Sequence, residues 1–170
     1  MKNKIAEALE RHGAILFGDF VLASGARSSY YLDVKSAMTD PALLGLVCRE
    51  IAETFRPEMV AGVAVGGVPL AVGVALEGTI PYAIIRSSEK DHGKSGRIIG
   101  EVRGRNVLLV EDVTTSGGSA LYGVHSLRDA GAIIHDVVCV VDREQGASRA
   151  LASDGITLHA LVRAAELTKE

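Results

Sequence analysis

The sequence has no excess of positive charge. Its 18 lysines and arginines stand against 21 aspartates and glutamates, which gives a formal net charge of -3. Proteins with a general affinity for nucleic acid are more often basic, with lysines and arginines clustered on one face. We therefore expect no nucleic-acid partner. A small anionic ligand remains compatible with this composition, because local charge decides such binding more than total charge does.

Cysteine is scarce, and long apolar runs are absent. Cys48 and Cys139 lie in apolar stretches without metal-ligand spacing, so we interpret them as buried, reduced thiols typical of cytoplasmic proteins. No apolar run reaches the roughly 18 residues of a transmembrane helix. Residues 1–12 carry charges throughout, unlike a signal peptide. These features predict a cytoplasmic protein without a membrane partner.

Two common nucleotide-binding motifs are also missing. The chain contains no GxxxxGK[ST] motif, and no GxGxxG follows a predicted strand. No linker or internal repeat divides the 170 residues, of which 48% are apolar. We predict a single domain over residues 1–170, long enough for one core.

The pattern of apolar residues predicts strands that alternate with helices. Asp40 and Pro41 are typical of a helix start, where aspartate caps and proline is tolerated in the first turn. Residues 15–22 predict a small hairpin around Gly18 and Asp19, and residues 30–34 predict another short strand. Further strands are predicted at 59–65, 81–85, 107–110, 133–141 and 156–161, and further helices at 4–11, 68–76, 120–130 and 145–153. This alternation implies an α/β fold with a parallel sheet covered on both faces.

Residues 107–119 carry the clearest functional signal. An apolar strand ends in two adjacent acids, Glu111 and Asp112, and a helix begins a few residues later. The connecting residues are mainly hydroxyl side chains and glycines: Val113, Thr114, Thr115, Ser116, Gly117, Gly118 and Ser119. Ligands of open α/β sheets bind beyond the carboxyl ends of the strands. A helix N-terminus there offers unpaired N–H groups to a phosphate.

The acidic pair makes a site for phosphate alone a poor explanation, because carboxylates repel phosphate. Carboxylates suit the neighbouring hydroxyls of a ribose, from which they accept hydrogen bonds. We therefore predict a site for a phosphorylated ribose. A generic strand-turn-helix with Ser116 as the cap would explain the serine and one glycine, but not two acids after a buried strand.

At this loop the sequence resembles the type I phosphoribosyltransferases, which bind 5-phosphoribosyl 1-diphosphate (PRPP). Additional segments make it similar to the branch of that family that acts on orotate. They are Ser24-Gly25 through Tyr30-Tyr31-Leu32-Asp33, Val63-Ala64-Val65-Gly66-Gly67-Val68-Pro69, Arg86 through Lys90-Asp91-His92-Gly93, and Asp142-Arg143. The resemblance covers essentially the whole chain. It implies a central, mostly parallel sheet flanked by helices, with a small N-terminal hood over about residues 1–35.

The resemblance implies a reaction as well as a fold. The family transfers the 5-phosphoribosyl group of PRPP to orotate, which gives orotidine 5-monophosphate and pyrophosphate in pyrimidine biosynthesis. It implies a need for Mg²⁺, held mainly by PRPP and water and not by protein ligands. Because orotate is already an anion, positioning and electrostatics should provide most of the rate.

The leaving pyrophosphate needs positive charge, which the polar loop that begins at Arg86 and ends at Gly104 can supply. By resemblance, Arg86, Lys90 and His92 are catalytic residues that also contact PRPP. A mobile loop that closes over the site would exclude water. The family also implies a homodimer in which this loop reaches into the partner subunit's site.

Two positions depart from the family pattern. Ser87 stands where many relatives have a lysine, and Ala23 stands where many have a lysine that contacts the substrates. Lys35 and Arg27 are the two residues that we consider as replacements for the second lysine.

Orotate needs a cation for its carboxylate. Arg143 follows the predicted strand 133–141 and so lies at the same sheet edge as Glu111 and Thr115. Its planar guanidinium matches a carboxylate in bidentate fashion. The resemblance implies that Arg143 and Thr115 contact orotate. A surface arginine paired with a neighbouring acid is the alternative.

The run Val65-Gly66-Gly67-Val68 connects a predicted strand to a predicted helix. Its backbone N–H groups would bind pyrophosphate, as the second loop of the family does. A tight turn that needs glycine for its φ and ψ also fits, and the two interpretations are compatible.

Two other functions remain open at this stage. A phosphoribosyltransferase for another base, such as adenine or hypoxanthine, would share the phosphate loop but not the full set of orotate-branch segments. A regulator that senses PRPP and binds nucleic acid would share the fold, although the near-neutral charge of this chain is against it.

Overall fold

A computed structural model of the chain describes residues 3–21, 25, 27–87 and 96–168. Its helices are α1 (Lys4–Arg11), α2 (Val34–Ala37), α3 (Pro41–Phe55), α4 (Gly67–Gly78), α5 (Gly118–Asp129), α6 (Ala147–Ser153) and α7 (Ala164–Leu167). Its strands are β1 (Ile15–Val21), β2 (Arg27–Leu32), β3 (Val60–Val63), β4 (Tyr82–Ile85), β5 (Ile98–Ile99), β6 (Leu108–Thr114), β7 (Asp136–Asp142) and β8 (Thr157–Arg163).

The strands form two sheets. Six of them make one sheet in the order β5-β4-β3-β6-β7-β8, in which every neighbouring pair is parallel except β4 and β5. Strands β1 and β2 pair with each other in a separate antiparallel sheet. The α/β fold with a central, mostly parallel sheet flanked by helices is confirmed.

Apolar side chains of the large sheet alternate between its two faces, as the period of a strand requires. Leu108 and Val110 belong to an apolar cluster that includes residues of α1, α3 and α4. Leu109 belongs to a second cluster with residues of α5 and α6. Both faces of the sheet are thus covered, which explains why its strands are nearly continuous apolar runs.

The strand order places a topological switch point between β3 and β6. The chain proceeds from β3 to β4 on one side, and later returns to β6 on the other side of β3. Connections leave these two strands in opposite directions, which opens a crevice at their carboxyl ends. The loop before α4 and the loop before α5 meet at this crevice.

Helix α3 begins as the sequence predicts. Asp40 accepts hydrogen bonds from the backbone N–H groups of Ala42 and Leu43 at 2.9 and 3.1 Å, and Pro41 occupies the first turn. Within α3, Leu43, Val47, Cys48 and Ile51 are buried against the core. Cys48 and Cys139 are both buried and unpaired, and burial raises the pKa of each thiol to about 12.

Three predictions about the secondary structure are wrong. Gly18 and Asp19 do not form a hairpin turn, because they lie inside β1 where a bulge shifts its register against β2. Residues 30–34 are not one strand, because Asp33 caps the short helix α2 by accepting a hydrogen bond from the Ser36 N–H at 3.2 Å. Residues 86–104 are not entirely loop, because Ile98–Ile99 form the edge strand β5.

The predicted hood, about residues 1–35, contains α1, β1 and β2. Helix α1 packs against α3, α7 and β8 of the main body, whereas β1 pairs with β2 outside the large sheet. No helix in the described part of the chain combines the length and apolar character that a bilayer crossing requires.

Candidate active site

The end of β6, the loop that follows it and the start of α5 bring acids, hydroxyls and a helix N-terminus together. Glu111 and Asp112 are only 4% and 8% exposed, although both are acidic. The Ser119 hydroxyl, on the first turn of α5, donates a hydrogen bond to Glu111 at 3.1 Å. Gly117 caps α5 with a φ of 90°, a conformation that favours glycine. Thr115, Ser116, Gly118 and Ser119 are exposed around this turn.

Burial controls the protonation of Glu111. The pKa of Glu111 is raised to about 8, mainly by loss of hydration on burial and also by the charge of Asp112, while the Ser119 hydrogen bond and the charge of Lys35 oppose this rise. A carboxyl group in this state can either donate or accept a hydrogen bond near neutral pH. Both properties suit contact with the hydroxyls of a sugar.

Thr114 has a different position from the rest of the loop. The residue is 4% exposed, and its hydroxyl donates to Asp142 at 3.2 Å and contacts the Cys139 sulfur at 3.4 Å. The same Asp142 oxygen accepts the Glu144 N–H at 2.9 Å. This network joins the ends of β6 and β7. The Thr114 side chain therefore supports the site from within the core, and the PRPP contact predicted for this residue stays a prediction.

Packing, and not backbone conformation, explains the presence of Gly66 and Gly67 at the start of α4. Gly66 has a φ of -64°, and neither Gly66 nor Gly67 has a positive φ. A Cβ atom on Gly66 would lie 2.5 Å from the Asp112 carboxylate, and one on Gly67 would lie 2.7 Å from the Val110 carbonyl oxygen. The expectation that this turn needs glycine for φ and ψ is wrong. Its glycines let the two loops approach each other closely.

A cavity of about 300 Å³ lies between the residues after β2 and the ends of β6 and β7. Its lining residues are Tyr31, Leu32, Asp33, Val34, Lys35, Asp112, Val113, Thr115 and Arg143. The predicted pyrimidine contacts Thr115 and Arg143 are thus brought together with Asp112 of the acidic pair. Val113, also predicted to contact PRPP, is half-buried in the cavity wall.

Arg143 is oriented by an aromatic ring. Its guanidinium lies 5.9 Å from the centroid of the Tyr30 ring, within the range of a cation–π contact. Its backbone N–H donates to the Thr114 carbonyl at 2.9 Å, which fixes it to the end of β6. Its Nε atom is buried and has no hydrogen-bond partner among the residues that the structure describes. The predicted alternative, an arginine paired with a neighbouring acid, does not describe this side chain.

Comparison with known proteins identifies the family. Residues 43–163 match the family model of the phosphoribosyl transferase domain. The chain is 63% identical to the orotate phosphoribosyltransferase of Methanoculleus marisnigri over 98% of both chains. The chain belongs to the orotate phosphoribosyltransferase family.

Solved structures of orotate phosphoribosyltransferases have the same fold. The enzyme from Aeropyrum pernix is 33% identical to this chain and superposes with a TM-score of 0.85, over 96% of this chain and 95% of that one. The Mycobacterium tuberculosis enzyme in complex with PRPP is 30% identical, with a TM-score of 0.79 over 97% and 99% of the two chains.

Arg86, which family resemblance predicts to be catalytic, lies at the end of β4 beside the switch point. It is half-buried, its guanidinium donates to the Gly96 carbonyl at 2.9 Å, and its own carbonyl accepts the Tyr122 hydroxyl of α5 at 2.8 Å. These bonds connect the start of segment 86–104 to Gly96, later in the same segment, and to helix α5. Lys90 and His92, the other two predicted catalytic residues, lie outside the described residues.

Lys35 is the cavity residue whose place the sequence did not reveal. Its ammonium lies 3.8 Å from the Asp112 carboxylate. The signal that could have placed it is Asp33, which resembles a helix cap and so turns the chain toward the site directly after β2. Arg27, the other residue considered, instead faces Asp19 at 3.6 Å, and both of these side chains are at least 77% exposed.

The side chains of the site bear on how an orotate phosphoribosyltransferase could hold its metal. In the described part of the chain, no cluster of three or more His, Cys, Asp or Glu side chains could hold a metal ion. The buried end of β6 presents two adjacent carboxylates, those of Glu111 and Asp112. One or two carboxylates, together with substrate phosphates and water, form the ligand set that Mg²⁺ commonly takes.

Proposed function

We propose that this protein transfers the 5-phosphoribosyl group of PRPP to orotate, releasing pyrophosphate and forming orotidine 5-monophosphate for pyrimidine biosynthesis. The observation that carries the proposal is the cavity that joins Asp112 of the acidic pair to Arg143 and Thr115. A ribose held by the acids would therefore have its C1 side near a cation suited to the carboxylate of orotate. The relatives named above bear the same activity in their names.

PRPP is held, in this proposal, along the loop between β6 and α5. The 5-phosphate would accept hydrogen bonds from the backbone N–H groups at the start of α5, including that of Ser119, and from the exposed hydroxyls of Thr115 and Ser116. Glu111 and Asp112 would bind the ribose hydroxyls. Because these acids are fixed by burial and by the bond from Ser119, they need little reorganisation when the sugar binds.

Orotate is held by Arg143 and Thr115 in the cavity. The pairing of Arg143 with its carboxylate would supply the buried Nε atom with a hydrogen-bond partner. Orotate carries its negative charge on the carboxylate, and its ring N1 loses a proton as the bond to ribose C1 forms. The oxygens of the departing pyrophosphate, or water, can accept this proton. Catalysis then depends on alignment of this nitrogen with C1 of the ribose.

The departing pyrophosphate requires positive charge. Arg86 lies at the base of the loop that carries Lys90 and His92, and we assign these three residues to the leaving group. The backbone N–H groups near Gly66 and Gly67 would add donors. Bound mainly through PRPP oxygens and water, Mg²⁺ would neutralise part of the charge on the diphosphate.

A homodimer in which segment 86–104 serves the partner's site is part of the proposal. Tyr82 and Ile99, 43% and 47% exposed at the β4–β5 edge, are apolar surface that a second subunit would cover. Mixing the impaired variants Lys90→Ala and Arg143→Ala tests the sharing when the assay uses orotate well below the KM of Arg143→Ala, because hybrid dimers would regain one complete site. Activity of the mixture equal to that of the separate variants would exclude it. The cytoplasm is the proposed compartment, in keeping with two unpaired thiols.

The decisive experiment measures the ultraviolet absorbance of orotate with purified protein, PRPP and Mg²⁺. We expect loss of absorbance that requires both PRPP and the metal. A panel with adenine, hypoxanthine and uracil in place of orotate tests the base. Turnover of another base without turnover of orotate would overturn the assignment, and binding of PRPP without turnover of any base would indicate a regulator.

Arg143→Ala tests the pyrimidine site by itself. We expect KM for orotate to rise by a factor of about 10 or more, because a hydrogen bond to a charged group is lost. Binding of PRPP, measured by calorimetry, should survive because Arg143 belongs to the cavity and not to the phosphate loop. An unchanged KM for orotate would contradict this role.

A further inference from the structure

Lys35 is a cation of the cavity that the function proposed above has not used. It is the second residue of α2, and its side chain is 65% exposed. Its ammonium lies 3.8 Å from the carboxylate of Asp112, whose side chain is 12% exposed. This distance is too long for a hydrogen bond, so the pair is held by charge alone and the ammonium keeps its donors for a ligand.

The formal charges of the side chains that line the cavity cancel only if Lys35 is counted. Two acids, Asp33 and Asp112, face two cations, Lys35 and Arg143. The carboxylate of Asp33 caps α2 and is therefore not available to a positively charged group on a ligand. Without Lys35 the cavity would carry a net negative charge and would repel an anionic ring. The charge of Lys35 also lowers the pKa of Glu111 against the larger effect of burial, so its field reaches the acidic pair.

Arg143 and Lys35 approach the cavity from separate elements, so they can contact different parts of one ligand. Arg143 follows β7 and is stacked over Tyr30, while Lys35 comes from α2. Arg27, the other basic residue near the two-stranded sheet, faces Asp19 and does not line the cavity.

We propose that Lys35 is a specificity-determining residue whose ammonium contacts the anionic pyrimidine and makes the cavity prefer a carboxylate-bearing ring over a neutral one. The inference rests on the proposed function. It assigns to Lys35 the substrate contact that Ala23 does not provide in this chain.

The test compares Lys35→Met, Lys35→Arg and the control Arg27→Met. Steady-state rates are measured with PRPP and Mg²⁺ for orotate and for uracil, which is the same ring without the carboxylate. For Lys35→Met we expect KM for orotate to rise about tenfold or more, with a smaller change in kcat and a lower preference for orotate over uracil. Lys35→Arg should restore most of the affinity, and Arg27→Met should leave it unchanged.

Several outcomes would overturn the inference. One is a KM for orotate within about twofold of the parent protein in Lys35→Met. Another is a rise in KM for PRPP alone, which would assign Lys35 to Asp112 and the ribose. An equal loss with orotate and uracil would show a structural role. Inactivity of the unaltered protein toward orotate would overturn the proposed function and this inference together, whereas activity with no effect of Lys35→Met would overturn only the inference. The melting temperatures should agree, because both replaced side chains are largely exposed.

Discussion

The two loops that meet at the centre of the sheet contain paired glycines for different physical reasons. In the loop after β3, neighbouring atoms leave no space for a side chain on Gly66 or Gly67, although their backbone is ordinary. In the loop after β6, Gly117 has a φ of 90°, and a Cβ atom on Gly118 would meet nothing within 4 Å. The first loop is thus shaped by the volume of its neighbours, and the second by its own backbone conformation.

Gly67→Ala should have the largest effect. Its Cβ atom would lie 2.7 Å from the Val110 carbonyl oxygen and 3.0 Å from the Gly62 Cα, and both are backbone atoms that cannot rotate away. We expect the free energy of unfolding to fall by about 3 kcal/mol, which urea denaturation can measure. A loss below about 0.5 kcal/mol would mean that packing does not dictate this glycine.

Gly66→Ala should act on catalysis more than on the fold. The atoms in its way belong to the Asp112 carboxylate at 2.5 Å, and this side chain can move. Because Asp112 would then leave the position in which it is proposed to bind ribose, we expect kcat/KM for PRPP to fall on the order of 100-fold. The melting temperature, measured on the same sample, should stay close to that of the parent. An unchanged kcat/KM for PRPP would show that activity does not require Asp112 at its present position.

Glu111→Gln should change how the stability of the protein depends on pH. This effect distinguishes the two loops, because the loop after β3 has no buried acid. The folded state binds the Glu111 proton more tightly than the unfolded state, since burial raises the pKa of Glu111 from 4.5 to about 8. Its contribution to stability is therefore full below pH 4.5 and is lost as pH rises through about 8.

The measurement for this variant is the free energy of unfolding at pH 5 and at pH 9. Relative to the parent, Glu111→Gln should gain roughly 3 kcal/mol between these two values, because glutamine cannot ionise. A constant difference between the two proteins would contradict the assigned pKa. Asp112 raises the pKa of Glu111 in the parent and is kept in the variant, so the comparison reports on the Glu111 carboxyl in its present surroundings.

Gly118→Ala should have the smallest effect on stability, within about 0.5 kcal/mol, since its Cβ atom would meet no protein atom. If the start of α5 binds a phosphate, as proposed, the added methyl group would still raise KM for PRPP severalfold. Urea denaturation and PRPP kinetics on the same preparation separate these two effects. A clear loss of stability would show that the fold also requires this glycine.

The parts of the fold that were predictable are those with strong local signals. Asp40 before Pro41 fixed the start of α3, and the apolar runs around Leu109 and Val138 marked buried strands. The strand order brought the predicted site residues together, because the carboxyl ends of parallel strands meet at one edge. Arg143 and Thr115 line one cavity for this reason.

Other features depend on contacts between residues distant in sequence, which no local pattern contains. A bulge in β1 is visible only in its register against β2, and the true reason for Gly66 is a carboxylate 46 positions later in the chain (112 - 66 = 46). The Thr114 hydroxyl faced the core because Asp142 provides an acceptor there. The position of Lys35 depends on the short helix α2 directly after β2, which the sequence pattern did not predict.

The stacking of Arg143 over Tyr30 has a consequence for kinetics. Tyr30 belongs to the two-stranded sheet and Arg143 follows the six-stranded one, so this contact spans the two. A bound pyrimidine held by Arg143 would therefore strengthen the attachment of β1 and β2 to the main body. The residence time of the base would then depend on how often the small sheet opens. Backbone amides of β2 should exchange with deuterium more slowly when the cavity is filled.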